Sequence, residues 1–181
     1  DGRAVLIEGA VPGDTVDVRV TKKSSRHYEG RVERLLTLSE KRTEPPCPHF
    51  GVCGGCRWQN MQYRWQLHYK QQEVENNLRR IGGVELPPIS PILGCEHEYY
   101  YRNKLEFSFA CRRWYTREEL DTAGEISSPE PALGFHIQGR WDKVLDVREC
   151  LLQPDPSNAI RDEIKRYALE KGLDFFDPRT N

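Results

Sequence analysis

The chain has 181 residues, of which 37% are hydrophobic and 30% charged, and its formal net charge is −1. This length allows one substantial core or two small ones, and the near-neutral charge excludes a globally basic nucleic-acid binder, so any nucleic-acid contact must come from local patches. No run approaches the ~20 apolar residues that a membrane-spanning helix needs, and no export signal is visible. We therefore expect a cytoplasmic protein without a membrane partner, whose six cysteines are reduced.

The first 44 residues read as a small all-β domain. Residues 4–7 form a short apolar run, residues 15–20 alternate strictly between apolar and polar, and residues 28–38 again have strand character. Short strands at this spacing are typical of a small barrel. A Pro-Pro pair directly after residue 44 marks the end of this domain, and residues 45–181 form the second one.

Three cysteines lie within ten residues in a loop rich in Pro and Gly: Cys47, Cys53 and Cys56. The spacing is C-x5-C-x2-C, and Cys150 follows after a gap of 93 residues. Structural zinc sites usually pair their ligands two by two, whereas three local thiolates and one remote thiolate are typical of iron–sulfur clusters. We therefore predict a four-thiolate site that holds a [4Fe–4S] cluster, with zinc as the alternative.

The residues alone leave the fourth ligand partly open. Cys111 lies on the apolar face of a predicted strand, where a cysteine is usually a small core residue. Cys95 follows a glycine in a loop and competes with Cys150, which stands at the end of a predicted strand. We interpret His49 as a packing or surface residue, and as a metal ligand only in a minor alternative.

The second domain alternates strands and helices, which predicts an α+β fold with an antiparallel sheet. We predict a helix over 63–81 with its apolar residues on one face, and a second helix over 156–171 with Ile160, Ile164, Tyr167 and Ala168 directed inward. Predicted strands cover residues 101–111, 133–137 and 143–147, and a long hairpin excursion covers residues 112–131.

The cysteine string C-P-H-F-G-V-C-G-G-C-R-W-Q, with Tyr63, Leu67 and Lys70 after it, resembles the RNA uracil-C5 methyltransferase family. It is more similar to the branch that methylates uridines of 23S ribosomal RNA and carries a [4Fe–4S] cluster. Further similarity lies in Y-R-N-K from residue 101, in G-F-H from residue 134, and in the stretch that ends at Cys150. V-P-G-D before a strand in the first domain is similar to the TRAM module, a small OB-like barrel that this family uses for RNA.

The resemblance implies several properties. It places Cys150 as the fourth cluster ligand, and it implies that residues 1–44 are a partial TRAM barrel and that residues 45–181 are a central domain without its C-terminal part. It also implies that the parent protein binds S-adenosylmethionine in a further Rossmann-like domain, which carries the catalytic cysteine and base. This sequence shows no Gly-rich strand-to-helix turn of that kind. We therefore expect no catalytic residue here, and an inactive fragment of a longer enzyme.

Two basic groups are candidate contacts to ribosomal RNA: Arg102, Asn103 and Lys104, and Lys22, Lys23 and Arg26. The first group lies at a predicted strand start, where Arg and Lys suit phosphates and Asn suits base edges. The second group forms a basic loop in the barrel domain, and OB-type barrels bind single strands through basic rims and aromatic faces. A solvated strand end and a solvated loop are the respective alternatives.

Overall fold

The computed structural model of the chain describes residues 2–123 and 128–177. The fold is mixed, with strands and a few helices, so the α+β class is confirmed at this level. The chain divides into two compact units, Asp1–Pro45 with Trp58–Cys95, and Pro46–Arg57 with Glu96–Asn181. No described helix has the length and apolarity that crossing a bilayer requires. The predicted domain division at residue 44 remains a prediction.

The first unit contains a three-stranded sheet in the order β1-β3-β2. Its strands are β1 (Ala4–Glu8), β2 (Thr15–Lys23) and β3 (His27–Thr37). β1 runs parallel to β3, and β2 runs antiparallel to it with three register shifts. The three strands were predicted, but in the described residues they form an open sheet rather than a barrel, because three strands are too few to close on themselves.

The turn before β2 is fixed by one carboxylate. Gly13 has a φ of 101°, which favours glycine, and the Asp14 amide donates to the Val11 carbonyl at 2.9 Å. The Asp14 carboxylate accepts hydrogen bonds from the amides of Val11 and Ser39 and from the Arg42 guanidinium. This one side chain therefore joins the start of β2 to the chain that follows β3.

The helix predicted over 63–81 is present as α1 (Tyr63–Asn76), which continues into a short π-helical turn (Asn77–Ile81). The apolar residues of this helix are not covered as a core-facing stripe would be. Neither segment has a buried residue, and Val74 and Ile81 are 55% and 83% exposed. Apolar spacing identifies a helical stripe, but it does not show what covers the stripe.

The second unit contains a four-stranded sheet in the order β4-β6-β7-β5. Its elements are β4 (Ser108–Ala110), β5 (Arg113–Trp114), α2 (Arg117–Ala123), β6 (Ala132–His136), β7 (Val144–Asp146) and α3 (Ser157–Glu170). β6 is antiparallel to β4 and β7, whereas β5 is parallel to β7, so the prediction of an antiparallel sheet was wrong for that edge.

Two further predictions in this unit need correction. The strand predicted over 101–111 is reduced to β4, because only residues 108–110 find a partner in β6. The stretch 112–131 contains β5 and α2 instead of a simple hairpin excursion, and its residues 124–127 lie outside the described part. An N-terminal cap explains α2, because the Glu119 amide donates to the Thr116 hydroxyl and the Glu119 carboxylate accepts from the Thr116 amide.

The core of the second unit lies on this sheet in two clusters. Ala110, Ala132 and Val144 form one cluster; Val147, Cys150 and Leu152 form the other. β6 and β7 approach so closely at Gly134 that a Cβ there would lie 2.0 Å from the Leu145 carbonyl oxygen, and only glycine fits.

The helix predicted over 156–171 is present as α3, but its inward face was predicted incorrectly. Ala168 is buried as expected, whereas Ile160, Ile164 and Tyr167 are 53%, 48% and 53% exposed. The other buried residue of α3 is Arg161, because its guanidinium finds hydrogen-bond partners around Cys150.

Candidate metal centre and RNA-contact residues

The cysteine loop (residues 47–56) turns back on itself twice within its first seven residues. The Phe50 amide donates to the Cys47 carbonyl at 3.1 Å, and the Cys53 amide donates to the His49 carbonyl at 2.9 Å. These turns bring Cys47 and Cys53 into one compact segment. The Gly55 amide lies 3.4 Å from the Cys53 sulfur, to which it donates.

The same loop is attached to the end of β6. Cys53 forms an isolated antiparallel bridge with Ile137, and the Gly54 amide donates to the His136 carbonyl at 3.0 Å. A Cβ on Gly54 would lie 2.6 Å from that carbonyl oxygen, so this approach requires glycine. Gly54, the first glycine of the G-G pair in the cysteine motif, is therefore required by the close approach of the loop to β6.

His49 attaches the loop to the segment before Cys150. Its Nε2 accepts a hydrogen bond from the Arg148 amide at 3.0 Å, across 99 residues of chain. Burial and the charges of Arg148 and Arg161 lower the pKa of His49, which favours the neutral ring that this bond needs. The interpretation of His49 as a packing residue missed this specific role, which no sequence spacing indicated.

The structure gathers all four predicted cysteine ligands in the second unit. Cys150 is buried, at 8% exposure, in the cluster with Val147 and Leu152, and Cys56 packs against this cluster. Cys47 and Cys53 are partly buried, and all four cysteines are free thiols. The four thiols therefore lie in the same unit, and their role as ligands of one metal centre stays a prediction.

Burial dominates the electrostatics of these thiols. It raises the pKa of Cys53 to about 11, and it raises the pKa values of Cys47 and Cys150. The negative charges of neighbouring thiolates raise them further, since Cys56 acts on all three and Cys47 acts on Cys53 and Cys150. A bound cation compensates this cost, because a coordinating thiol is deprotonated by the metal's own charge.

Among the described residues, no three His, Cys, Asp or Glu side chains are arranged so that they could hold one metal ion. The donor set at the gathered cysteines is sulfur only, which suits soft thiophilic metals and iron–sulfur clusters. The two competing cysteines lie elsewhere. Cys95 is exposed and belongs to the first unit. The pKa of Cys111 is raised by burial and then by the hydrogen bond and the charge of Asp177.

Two of the predicted RNA contacts in the second unit lie at a groove of about 600 Å³. Arg102 and Asn103 line it together with Phe107, Phe109 and Ile160. The Arg102 amide donates to the Leu152 carbonyl at 2.8 Å, which fixes the backbone at this point. Lys104 is 80% exposed, does not line the groove, and forms an ion pair with Glu106 at 2.7 Å.

The basic group of the first unit is partly engaged within its own sheet. Lys22 forms an ion pair with Glu29 at 2.9 Å, and the Lys23 ammonium lies 5.9 Å from the centre of the Tyr28 ring. Both lysines belong to the end of β2 rather than to the predicted loop, and Arg26 is exposed in the turn that follows. These side chains line one end of the β2–β3 hairpin.

Comparison with known proteins shows a relationship to RNA methyltransferases along nearly the whole chain. Proteins described as uncharacterized RNA methyltransferases match in Bacteroides thetaiotaomicron (46% identity over 97% of this chain and 38% of the relative), Porphyromonas gingivalis (44%, 99% and 40%) and Chlorobaculum tepidum (39%, 96% and 36%). The chain thus spans about two-fifths of the length of these relatives. No family model matches it.

The fold also occurs in a solved structure. The Pyrococcus abyssi tRNA (uracil-54, C5)-methyltransferase in complex with S-adenosyl-L-homocysteine matches with a TM-score of 0.62 and 21% identity. The match covers 97% of this chain and 35% of that enzyme. The fold described above is therefore shared with part of an RNA methyltransferase.

Proposed function

We propose that this chain is the RNA-binding and cluster-bearing part of an S-adenosylmethionine-dependent RNA uracil-C5 methyltransferase that acts on 23S ribosomal RNA in the cytoplasm. The observation that carries the proposal is the gathering of Cys47, Cys53, Cys56 and Cys150 in a chain whose relatives are described as RNA methyltransferases. The residues that would hold the group are these four cysteines.

A [4Fe–4S] cluster fits the chemistry of the gathered residues. The donors are four thiols without a disulfide, they share one unit, and Leu105, Phe107 and Phe135 pack against the cluster that contains Cys150. The cluster would supply a charged inorganic core that joins the cysteine loop to the end of β7. Such a centre stabilises the fold, because binding free energy that exists only in the folded state adds to folding stability.

S-adenosylmethionine does not fit the residues of this chain, since the sequence contains no Gly-rich strand-to-helix turn that would hold its adenosyl group. The methyl donor is therefore assigned to the parent enzyme outside this chain. What this chain contributes is the positioning of RNA.

The groove in the second unit supports a role in RNA binding. Phe107 and Phe109 offer aromatic surface, and Arg102 and Asn103 lie beside it with exposed side chains. Unpaired RNA bases are bound by stacking on aromatic rings, with arginine on phosphates and asparagine on base edges. Lys22, Lys23 and Arg26 would add phosphate contacts from the first unit.

RNA titration of single variants tests this role. We expect Arg102→Ala to weaken binding of a 23S rRNA transcript about fivefold or more, as the loss of one phosphate or base contact does, and to reduce the salt dependence of affinity. Lys104→Ala is the matched control, because Lys104 already pairs with Glu106 and lies off the groove. Equal affinities for the two variants, measured by fluorescence anisotropy, would remove Arg102 from the binding surface.

Transfer RNA is the second candidate substrate, because the structural neighbour is a tRNA (uracil-54, C5)-methyltransferase. The same titration with a tRNA transcript distinguishes the two. Tighter binding of the 23S transcript at equal salt is the result we expect; a preference for tRNA would transfer the proposal to that substrate.

A further inference from the structure

The first turn of α3 carries two side chains that contact the segment around Cys150. Cys150 is followed by a short turn, and α3 begins at Ser157. Asn158 and Arg161 are three residues apart, so their side chains lie on the same face of the helix. Both side chains are directed at the backbone around Cys150.

Asn158 holds the Cys150 backbone from both sides. Its Oδ1 accepts from the Cys150 amide at 2.9 Å, and its Nδ2 donates to the Cys150 carbonyl at 3.1 Å. Asparagine is suited to this task because its amide offers an acceptor and a donor in one plane. The backbone of one cysteine is thus fixed by one side chain of the following helix.

Arg161 holds Asn158 in turn. Its guanidinium donates to Asn158 Oδ1 at 2.8 Å and to the Arg148 carbonyl at 2.6 Å, which fixes the segment on the other side of Cys150. Only 2% of the Arg161 side chain is exposed. Its carboxylate partner, Asp162, is 61% exposed and lies largely in solvent, where it compensates the buried charge incompletely.

This inference rests on the proposed cluster. We propose that Asn158 and Arg161, together called the clamp, fix the backbone of Cys150 in the position in which it would bind the cluster. Arg161 also places one buried positive charge beside the cluster. Asn158 is the positioning residue, since it holds the ligand's backbone. Arg161 has two tasks, because it orients Asn158 and also contributes its charge.

The position of Arg161 supports this arrangement, because its guanidinium donates to the carbonyl of Arg148, two residues before Cys150, and only 2% of its side chain is exposed. A [4Fe–4S] cluster with four thiolates is an anion in both of its common oxidation states and gains one further negative charge on reduction. Net charge and hydrogen bonding set the potential of such clusters, so a buried cation favours the reduced form.

Iron retention and redox potential of single variants test the clamp. The whole chain is reconstituted anaerobically with ferrous iron and sulfide, and the loss of iron to a chelator is followed by visible absorption. We expect Asn158→Ala and Arg161→Gln to lose iron about tenfold faster than the unchanged chain, which is the usual effect of removing a residue that supports a metal ligand.

The potential separates the charge of Arg161 from its hydrogen bonds. Arg161→Gln is expected to shift the midpoint potential to a more negative value, whereas Arg161→Lys keeps the potential and still loses iron faster, because lysine lacks the planar fork of donors. Arg166→Gln is the control, since Arg166 lies on the same helix but is 55% exposed and pairs with Glu163 and Glu170. It is expected to match the unchanged chain in both measurements.

Asn158→Asp keeps the test decisive if Arg161→Gln does not fold. The aspartate still accepts from the Cys150 amide, but it cannot donate to the Cys150 carbonyl, and it adds a negative charge, so we expect faster iron loss and a more negative potential. Iron loss and potentials equal to those of the unchanged chain in all clamp variants would overturn the clamp alone. An unchanged chain that takes up no iron would instead overturn the proposed cluster.

Discussion

Asp14 is a buried carboxylate, with 1% of its side chain exposed. Burial alone would raise the pKa of this carboxyl. Hydrogen bonds from Arg42, Ser39 and Val11 and the charge of Arg42 outweigh it, and the pKa falls to about 2. A carboxyl whose pKa is lower in the folded state stabilises the protein when ionised.

The direction in which stability changes with pH follows from this lowered pKa. The stabilisation by Asp14 is fully present above its ordinary pKa of 3.8 and is lost as the pH falls towards 2. The difference corresponds to about 2 kcal/mol of unfolding free energy at neutral pH. We therefore expect Asp14→Asn to lower stability at pH 7 by about this amount, and its deficit to shrink as the pH falls through this window.

Urea unfolding followed by circular dichroism measures this effect between pH 7 and pH 2.5. Asp17→Asn is the matched control, because Asp17 pairs with Arg34 on the surface of the same sheet, with side chains 44% and 72% exposed. Surface ion pairs contribute little, so its change is expected to stay within about 0.5 kcal/mol. Equal unfolding free energies of Asp14→Asn and the unchanged chain at pH 7, or a difference that grows in acid, would contradict this interpretation.

At the scale of elements, the junction between the cysteine loop and β6 depends on one glycine. Alanine at Gly54 would place its Cβ 2.6 Å from the His136 carbonyl oxygen, which would force the loop from the sheet and move Cys53. We expect Gly54→Ala to retain less than about half of the iron of the unchanged chain after reconstitution, as displaced ligands bind metal poorly.

Gly55→Ala is the control for this prediction. The nearest atom to a Cβ at Gly55 is the Cys53 sulfur at 3.5 Å, an ordinary contact, and its backbone does not require glycine. Iron content per chain is measured for both variants. Retained iron in Gly54→Ala, or equal loss in both, would show that the loop does not depend on this approach.

The elements also show what sequence patterns determine. Alternation and helical spacing predicted β1, β2, β3, β6, β7, α1 and α3, because these patterns report local backbone periodicity. They did not predict that Ile160 and Ile164 remain exposed and that Arg161 is buried, since burial depends on which surfaces meet in three dimensions. The strand predicted over 101–111 was too long, since only β4 finds a partner, and the parallel β5 was missed for the same reason.

The candidate site was predictable to a similar depth. The spacing of thiols predicts the three local cysteines as ligands and the resemblance implies Cys150, because ligand type and separation can be read from a sequence; these ligand roles stay predictions. The contacts of His49, Asn158 and Arg161 were not predicted, since each depends on backbone groups up to 99 residues away. A side chain that binds a backbone group can do so whatever the residue type of its partner, so the sequence at the partner's position does not indicate the contact.

At the scale of the whole molecule, the chain spans about two-fifths of its relatives and is proposed to contribute RNA binding without catalysis. We therefore expect no transfer of labelled methyl groups from S-adenosylmethionine to a uridine-containing transcript above a protein-free blank. A full-length relative assayed in parallel controls for the RNA and the methyl donor. Turnover by this chain alone would contradict the assignment of catalysis to another part of the parent.

The cluster itself is the central claim, and metal analysis of single cysteine variants tests it most directly. The chain purified anaerobically is expected to be coloured and to contain about four irons and four sulfides per molecule. Cys150→Ser should abolish incorporation, whereas Cys95→Ser and Cys111→Ser should leave it intact, because Cys56 of the cysteine loop packs against the cluster that contains Cys150. A colourless protein with one zinc per chain, or full iron content in Cys150→Ser, would contradict the account.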